Sequence, residues 1–352
     1  MILDERRSTI EGAAQGCLFS ALMADEESET AMTDEAIDEA ATAQAKAEAM
    51  DAAKDDGVAK NDGVAPAEGE GTGAPEEECT HECSGCGVSG CGDRVDPQDR
   101  ILKPNGRSTI KHVIGVVSGK GGVGKSFVTS LLACAMRKRG YTVGILDADV
   151  TGPSIPKAFG VEGHPSADAD GINPMTTEGG IGIISTNLLL PEGDMPVAWR
   201  GPVVSGIIKQ FFNEVNWGDI DYLFVDMPPG TSDVMLTVFQ TLPIDGIVTV
   251  SAPQDLVAMI VGKAVNLAKD MDVEVLGLVE NMAYFVCGNC AEKHYIFGKP
   301  QGAEVAKRYA IDAYASLPLD PAFAAACDAG KAEEYKVGDA LDPIIARIEQ
   351  LS

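Results

Sequence analysis

A chain of 352 residues has room for one large α/β domain or two smaller ones. Its 45% hydrophobic content suits a soluble globular protein, and no apolar run reaches the ~18–20 residues of a membrane span, so no membrane partner is expected. A net charge of −27 argues against nucleic acid as a partner, because neutralising phosphates takes stripes of Lys and Arg.

Residues 1–78 hold 21 acidic and 5 basic side chains and no Trp or Tyr. Such a segment buries too little apolar surface to offset its ordering entropy, so 1–78 is expected to be a disordered acidic tail. Arg6 and Arg7 precede a weakly apolar stretch ending Ala21-Leu22-Met23-Ala24, an outline of a signal peptide. Glu11 and Gln15 interrupt it, so export is not expected and a cytoplasmic location is; Met23 offers an alternative start.

Nine cysteines in a chain of this size argue against a disulfide framework, and six of them fall in two tight groups. Cys79, Cys83, Cys86 and Cys91 make a four-ligand set in one short segment. Little apolar sequence surrounds it, so bound metal would be what orders it, either zinc or an iron–sulfur cluster. The Cys79–Cys86 portion imitates the radical S-adenosylmethionine motif, but a tail expected to be disordered, rather than a barrel, precedes it. His81 is not needed as a ligand beside four cysteines. A polar connector completes a cysteine-rich segment, 79–110.

From His112 onward short apolar runs alternate with helical stretches. Strands are expected at Val113–Val117, Thr142–Leu146, Ile181–Ser185, Tyr222–Val225, Gly246–Val250 and Val275–Val279. Helices are expected at Lys125–Arg139, stopped by Gly140, and at Val203–Glu214, Val234–Thr241 and Leu256–Met271. Near-continuous apolar strands alternating with helices predict an α/β domain over 111–352, a parallel sheet sandwiched by helices. Ligands of such sheets bind beyond the carboxyl ends of the strands.

Gly119-Lys120-Gly121-Gly122-Val123-Gly124-Lys125-Ser126 is a full phosphate-loop motif, after an expected strand and before an expected helix. The glycines let backbone N–H groups turn around the phosphates of ATP. Lys125 is placed to reach the β- and γ-phosphates and Ser126 to bind Mg²⁺. Asp226 ends an apolar run in Phe224-Val225-Asp226-Met227-Pro228-Pro229-Gly230-Thr231, where a carboxylate can hold a Mg²⁺ water and Gly230 can approach the γ-phosphate. Asp147 and Asp149 end another strand, where capping a strand-to-helix turn is the competing role.

Cys287-Gly288-Asn289-Cys290 follows the Val275–Val279 run, in a loop. One pair supplies two thiolates, whereas a tetrahedral site or a [4Fe–4S] cluster wants four; two pairs meeting at a two-fold axis would supply them. Spacing alone leaves a cluster and structural zinc both open. A redox disulfide of the thioredoxin kind sits at a helix start, a different context.

The two-lysine loop resembles that of the MinD/ParA/nitrogenase-iron-protein class of P-loop NTPases. The resemblance implies a homodimer that closes on ATP, with Lys120 reaching the partner's nucleotide. More specifically, the chain from about Lys111 onward resembles the Mrp/ApbC family of iron–sulfur carrier ATPases. The marks are the loop, Asp147-Ala148-Asp149-Val150-Thr151-Gly152-Pro153-Ser154, Trp199-Arg200-Gly201-Pro202, Asp226-Met227-Pro228-Pro229-Gly230-Thr231-Ser232-Asp233, and Glu280-Asn281-Met282-Ala283 running into the cysteine pair. By resemblance, Asp149 orients the attacking water, Asp147 supports it, Asn281 reads the adenine edge, and Pro318 to Pro321 lie beside the ring. The family implies a [4Fe–4S] cluster bridged between subunits by Cys287 and Cys290, passed to apo-proteins with slow ATP hydrolysis. The N-terminal cysteines depart from the eukaryotic scaffolds of this kind, whose first gap is longer, and look more like the short extension of some bacterial members. An ATP-gated electron donor is the alternative, but it would carry single, separated cysteines. A positioning ATPase with structural zinc is the other. For a membrane-binding one the C-terminus is wrong, because residues 338–352 hold Arg347 against Asp339, Asp342 and Glu349.

Overall fold

The structure, a computed structural model, describes residues 101–149, 152, 154–189, 201–230, 233–253, 257–336 and 338–351. The expected acidic tail and Cys79, Cys83, Cys86 and Cys91 lie outside the described residues, as do Val150, Thr151, Pro153, Trp199, Arg200, Thr231 and Ser232 of the quoted motifs.

The β-branched run enters the fold as β1 (Thr109–Val117), which starts four residues before the expected strand and two before the expected domain. The connector just upstream is packed on: the Leu102 N–H donates to Thr241 O at 2.7 Å, and Ser108 Oγ accepts from the Trp217 N–H at 2.8 Å. In chain order follow α1 (Lys125–Lys138), β2 (Val143–Asp147), α2 (Ile155–Ala158), a small hairpin β3 (Ala167–Asp168) and β4 (Gly171–Ile172), then β5 (Met175–Thr176) and β6 (Gly182–Ser185). Next come α3 (Gly201–Asn213), β7 (Asp219–Asp226), α4 (Asp233–Thr241), β8 (Gly246–Ser251), α5 (Val257–Asp270) and β9 (Glu274–Val286). The chain finishes with β10 (Lys293–His294), α6 (Gly302–Arg308), β11 (Tyr314–Pro318), α7 (Pro321–Asp328) and α8 (Asp342–Glu349).

The main sheet runs β9-β8-β1-β7-β2-β6 in parallel, with β11 joining β9 in parallel and β5 and β10 antiparallel at β6 and β9. Both faces are covered, which is why the strands read as unbroken apolar runs. On β7, Tyr222 and Phe224 enter one layer with Leu132 of α1, Phe323 of α7 and Ile344 of α8. Leu223 and Val225 enter the other, with Phe211 of α3 and Phe239 of α4. Alternate side chains of one strand thus serve two cores. The first helix stops as expected. Gly140 sits at φ 96°, in the left-handed region, and its N–H caps Arg137 O at 3.0 Å.

The strand ends away from the site are tied by Asp221. Its carboxylate accepts from Lys111 Nζ at 2.6 Å and from the Thr142 N–H and hydroxyl at 2.8 Å each. The Lys111 hydrogen bond, then the Thr142 N–H, hold its carboxyl down to about 2. A depressed folded-state value stabilises the protein above the ordinary carboxylate range, and that contribution fades as pH falls towards 2. Asp221→Asn is therefore expected to cost stability at pH 5–7, with the deficit relative to the native chain shrinking below about pH 4. Urea unfolding of both chains across that range reads the difference; a deficit that grows in acid would contradict it.

The largest departure from expectation is β9. It runs 13 residues, not the five of Val275–Val279, so the cysteine pair begins directly at its end. Glu280 and Asn281 interrupt the apolar pattern, yet they are 0% and 1% exposed. The Glu280 carboxylate is satisfied by the N–H groups of Gln301 and Gly302, 3.0 Å each, and by the Tyr314 hydroxyl at 2.6 Å.

Candidate functional site

The carboxyl ends of β1, β7 and β2 meet in register, with Val116 beside Asp226 and Asp226 beside Asp147. The phosphate loop leaves β1 here and α1 begins at Lys125. Gly122 and Gly124 turn the loop at φ 80° and 82°, a region that L side chains avoid. The Gly230 N–H donates to Ser118 O at 2.8 Å and pins the loop after β7 to it.

Lys125 is 6% exposed. Its ammonium lies 2.8 Å from Asp226 Oδ1 and 3.5 Å from Asp149 Oδ2. Asp226 also accepts from Ser126 Oγ at 2.5 Å and from Thr129 Oγ1 at 2.8 Å. Asp147 accepts from Ser185 Oγ at 3.0 Å and from the Asp149 N–H at 3.2 Å. Burial, and then neighbouring Asp226, push the Asp147 carboxyl well above its usual range. Lys125 therefore faces the carboxylates of Asp226 and Asp149, an excess of negative charge that a divalent cation would offset. The Ser126 hydroxyl and Asp226 carboxylate are the hard oxygen donors that Mg²⁺ prefers. Lys120 is exposed on the same loop.

Asn281 closes the far side of the loop. Its Nδ2 donates to Val123 O at 2.9 Å, and because a carbonyl only accepts, the amide's orientation is fixed. Its Oδ1 is buried and has no hydrogen-bond partner among the described residues. Pro318 ends the adjacent strand, paired with Tyr284, and the Leu319 N–H donates to Tyr284 O at 2.7 Å. The sheet thus brings Asn281 and Pro318 to the same end.

At the tip of β9 the chain makes a tight hairpin. The Cys287 N–H donates to Glu292 O at 2.9 Å, and β10 returns antiparallel with His294 opposite Phe285. Lys293 Nζ sits 4.0 Å over the Tyr284 ring, a cation–π contact that holds the returning strand. Cys287 is half-buried and Cys290 exposed. Backbone N–H groups of Cys290 and Asn289 and the Cys290 thiol hydrogen-bond to the Cys287 sulfur and lower its thiol from the ordinary value. Burial does the opposite elsewhere, pushing Cys134 up to about 12 and Cys327 up to about 11. Because the thiolate is the nucleophile, iodoacetamide near pH 7.5 is expected to label Cys287 well before Cys134 and Cys327. Peptide mass spectrometry of a labelling time course checks that order.

Sequence reasoning gave no role to three participants. Thr129, one turn after Lys125, grips Asp226. Glu280 anchors the start of α6. His294 offers a ring nitrogen, all three ligand atoms of Cys287, Cys290 and His294 lying within 4.8 Å of one another. The spacing C-x₂-C-x₃-H was the available signal.

A family model described as ParA, NUBPL iron-transfer P-loop NTPase, matches residues 109–349. An iron-sulfur cluster carrier protein of Clostridium perfringens is 48% identical over 244 residues, 67% of this chain and 86% of the relative. A cytosolic Fe-S cluster assembly factor of Kluyveromyces lactis is 41% identical over 228 residues, 62% of this chain and 81% of the relative. Among solved structures, a nucleotide-binding protein of Archaeoglobus fulgidus in complex with ADP, with Co found in it, is 44% identical. It superposes with a TM-score of 0.59, covering 64% of this chain and 89% of that one.

Proposed function

Because the chain belongs to the NUBPL iron-transfer P-loop NTPase family, we propose that it carries a [4Fe–4S] cluster between the Cys287–Cys290 pairs of two protomers and hands it to apo-proteins under the control of ATP. The observation that carries this reading is β9, which bears the phosphate-loop contact of Asn281 and, at its tip, the accessible thiol pair. Four thiolates from two protomers match the ligand demand of a [4Fe–4S] cluster.

ATP is the substrate of the other end. The ADP of the A. fulgidus protein supports an adenine nucleotide in this loop. Lys125 contacts its β- and γ-phosphates, and the loop N–H groups cradle them. Ser126 would hold Mg²⁺ directly and Asp226 through water, and the ion would supply charge neutralisation there. Asp149 orients the attacking water and Asp147 supports Asp149 through its N–H. The partner subunit's Lys120 reaches across to the transferring phosphate, the role an arginine finger fills elsewhere. The unpartnered Oδ1 of Asn281 is an acceptor suited to the exocyclic amine of adenine, with Pro318 beside the ring. Slow hydrolysis then resets the dimer. The protein works as a cytoplasmic homodimer, and Cys79, Cys83, Cys86 and Cys91 bind a second cluster or zinc.

Anaerobic reconstitution with iron and sulfide, followed by spectroscopy and metal counting, tests this. Cys287→Ala/Cys290→Ala should lose about one cluster per dimer, whereas full-length protein with Cys79, Cys83, Cys86 and Cys91 replaced by serine should retain it. The opposite result removes the assignment of the bridging site. Zinc alone after reconstitution, with no iron and sulfide bound, counts against a cluster altogether, and electron transfer without cluster loss to an apo-acceptor would make the chain a reductant.

A further inference from the structure

We propose that Cys287, Cys290 and His294 form, within a single protomer, a three-ligand site for one thiophilic divalent cation, with its fourth position open. The thiols are those of the cluster reading above, which this inference deepens: each protomer would hold a single ion when the pairs are apart.

The hairpin explains why the third donor comes from four residues beyond Cys290. β10 pairs back on β9 with Lys293 opposite Val286 and His294 opposite Phe285. In an antiparallel pair, residues opposite each other share a face, and so do residues two along. His294 therefore stands diagonal to Cys287 on one face of the ribbon. The turn, with Ala291 at φ 59° and its N–H donating to Cys287 O at 2.9 Å, curls Cys290 back beside Cys287.

The donor atoms lie within 4.8 Å of one another. Around a tetrahedral zinc-sized ion, with metal–sulfur bonds of about 2.3 Å, neighbouring sulfurs are ~3.8 Å apart. The gap closes by a small rotation of the exposed Cys290 and His294 side chains. Two thiolates and an imidazole form a soft set that selects zinc or ferrous iron over magnesium or calcium. Binding releases the thiol protons. Three protein ligands plus an open position is the arrangement of exchangeable or reactive sites, whereas structural sites close all four. An ion so held is accessible to sulfide, to a second protomer or to an acceptor's thiol.

The test is an anaerobic titration with cobalt(II), then competition by zinc. The protein is full-length, with Cys17, Cys79, Cys83, Cys86 and Cys91 replaced by serine so that distant thiols do not contribute. The site predicts one ion per protomer, with thiolate charge-transfer bands and the intense visible bands of a tetrahedral ion. His294→Ala should weaken cobalt binding by at least about tenfold, since losing even an outer-shell partner costs about 10–100-fold. His294→Cys should restore affinity and shift the charge-transfer bands towards a three-thiolate set. An unchanged affinity and spectrum in His294→Ala overturns the proposal, as does half an ion per protomer with a four-thiolate spectrum. Cluster reconstitution of the same variants separates the two readings. A His294→Ala protein that binds cobalt normally and still reconstitutes a cluster sinks only the single-ion site. A Cys287→Ala/Cys290→Ala protein that keeps its cluster sinks the bridging assignment instead.

Discussion

Lys125→Met is expected to lower ATP turnover about a hundredfold or more, the scale seen when one preorganised charge at a transition state is removed. The methionine keeps most of the buried aliphatic volume and deletes only the charge. The same change leaves Asp226 buried without its nearest counter-charge, 2.8 Å away in the native chain. Removing one partner of a buried ion pair typically costs about 3–5 kcal/mol. The pH dependence has a definite sign. Without the ammonium, Asp147, whose carboxyl burial and Asp226 already hold well above its usual range, loses a charge that draws it down, so the folded variant binds more protons than the native fold. Stability of the variant relative to the native chain should then improve as pH falls from 7 towards 5. Phosphate release at saturating Mg²⁺-ATP and urea unfolding at both pH values read the two effects. Native-like turnover would remove Lys125 from the chemistry, and a deficit that deepens in acid would remove the ion pair from the stability argument.

Gly124→Ala is the second expected large loss. Gly124 lies at φ 82°, and a Cβ there would stand 2.2 Å from Asn281 Nδ2. A non-glycine residue in the left-handed region costs about 1–2 kcal/mol. Pushing Asn281 aside also breaks its hydrogen bond to Val123 O, about another 1 kcal/mol. Gly122 supplies the internal control. It shares the backbone at φ 80° but has nothing within 4 Å of an added Cβ. Gly122→Ala should show the strain alone, and Gly124→Ala should be worse by the collision, with nucleotide affinity falling further. Combining Gly124→Ala with Asn281→Ala should recover part of the loss, a coupling that a double-mutant cycle measures. Equal effects at the two glycines would mean that the contact with Asn281 is energetically empty.

The phosphate loop and Asp226 were legible because each is contiguous: a motif, its strand and its helix lie within a few residues. The central strands were legible because both faces are buried, so their apolar runs are unbroken. β9 was not. A charged and an amide residue at its middle read as a strand end, and the groups that satisfy Glu280 arrive from Gln301, Gly302 and Tyr314, information no local window holds. β11 was hidden by small and ambiguous residues, Ala315 and Ser316, and by the proline that closes it. The environment of Asp147 depends on cross-strand register with Asp226 and Ser185, which the sequence does not print. His294 becomes a neighbour of the thiols only once the hairpin folds back.

The last half of β9 has a mechanical consequence. Its pairing with β8 ends at Glu280 opposite Ser251, and beyond that point the strand is held by β11 as far as Tyr284 and by the short β10 at Phe285 and Val286. Met282, at φ 56°, is the residue of β9 with left-handed backbone, next to the asparagine that grips the loop. Cys287 lies five residues past it, ~16 Å along an extended chain. A tilt of about 10° at that fulcrum would carry the cysteine through ~3 Å, a hydrogen-bond length. A loop movement too slight to register at the phosphates would thus be amplified at the thiols into the difference between a bonded metal and a released one.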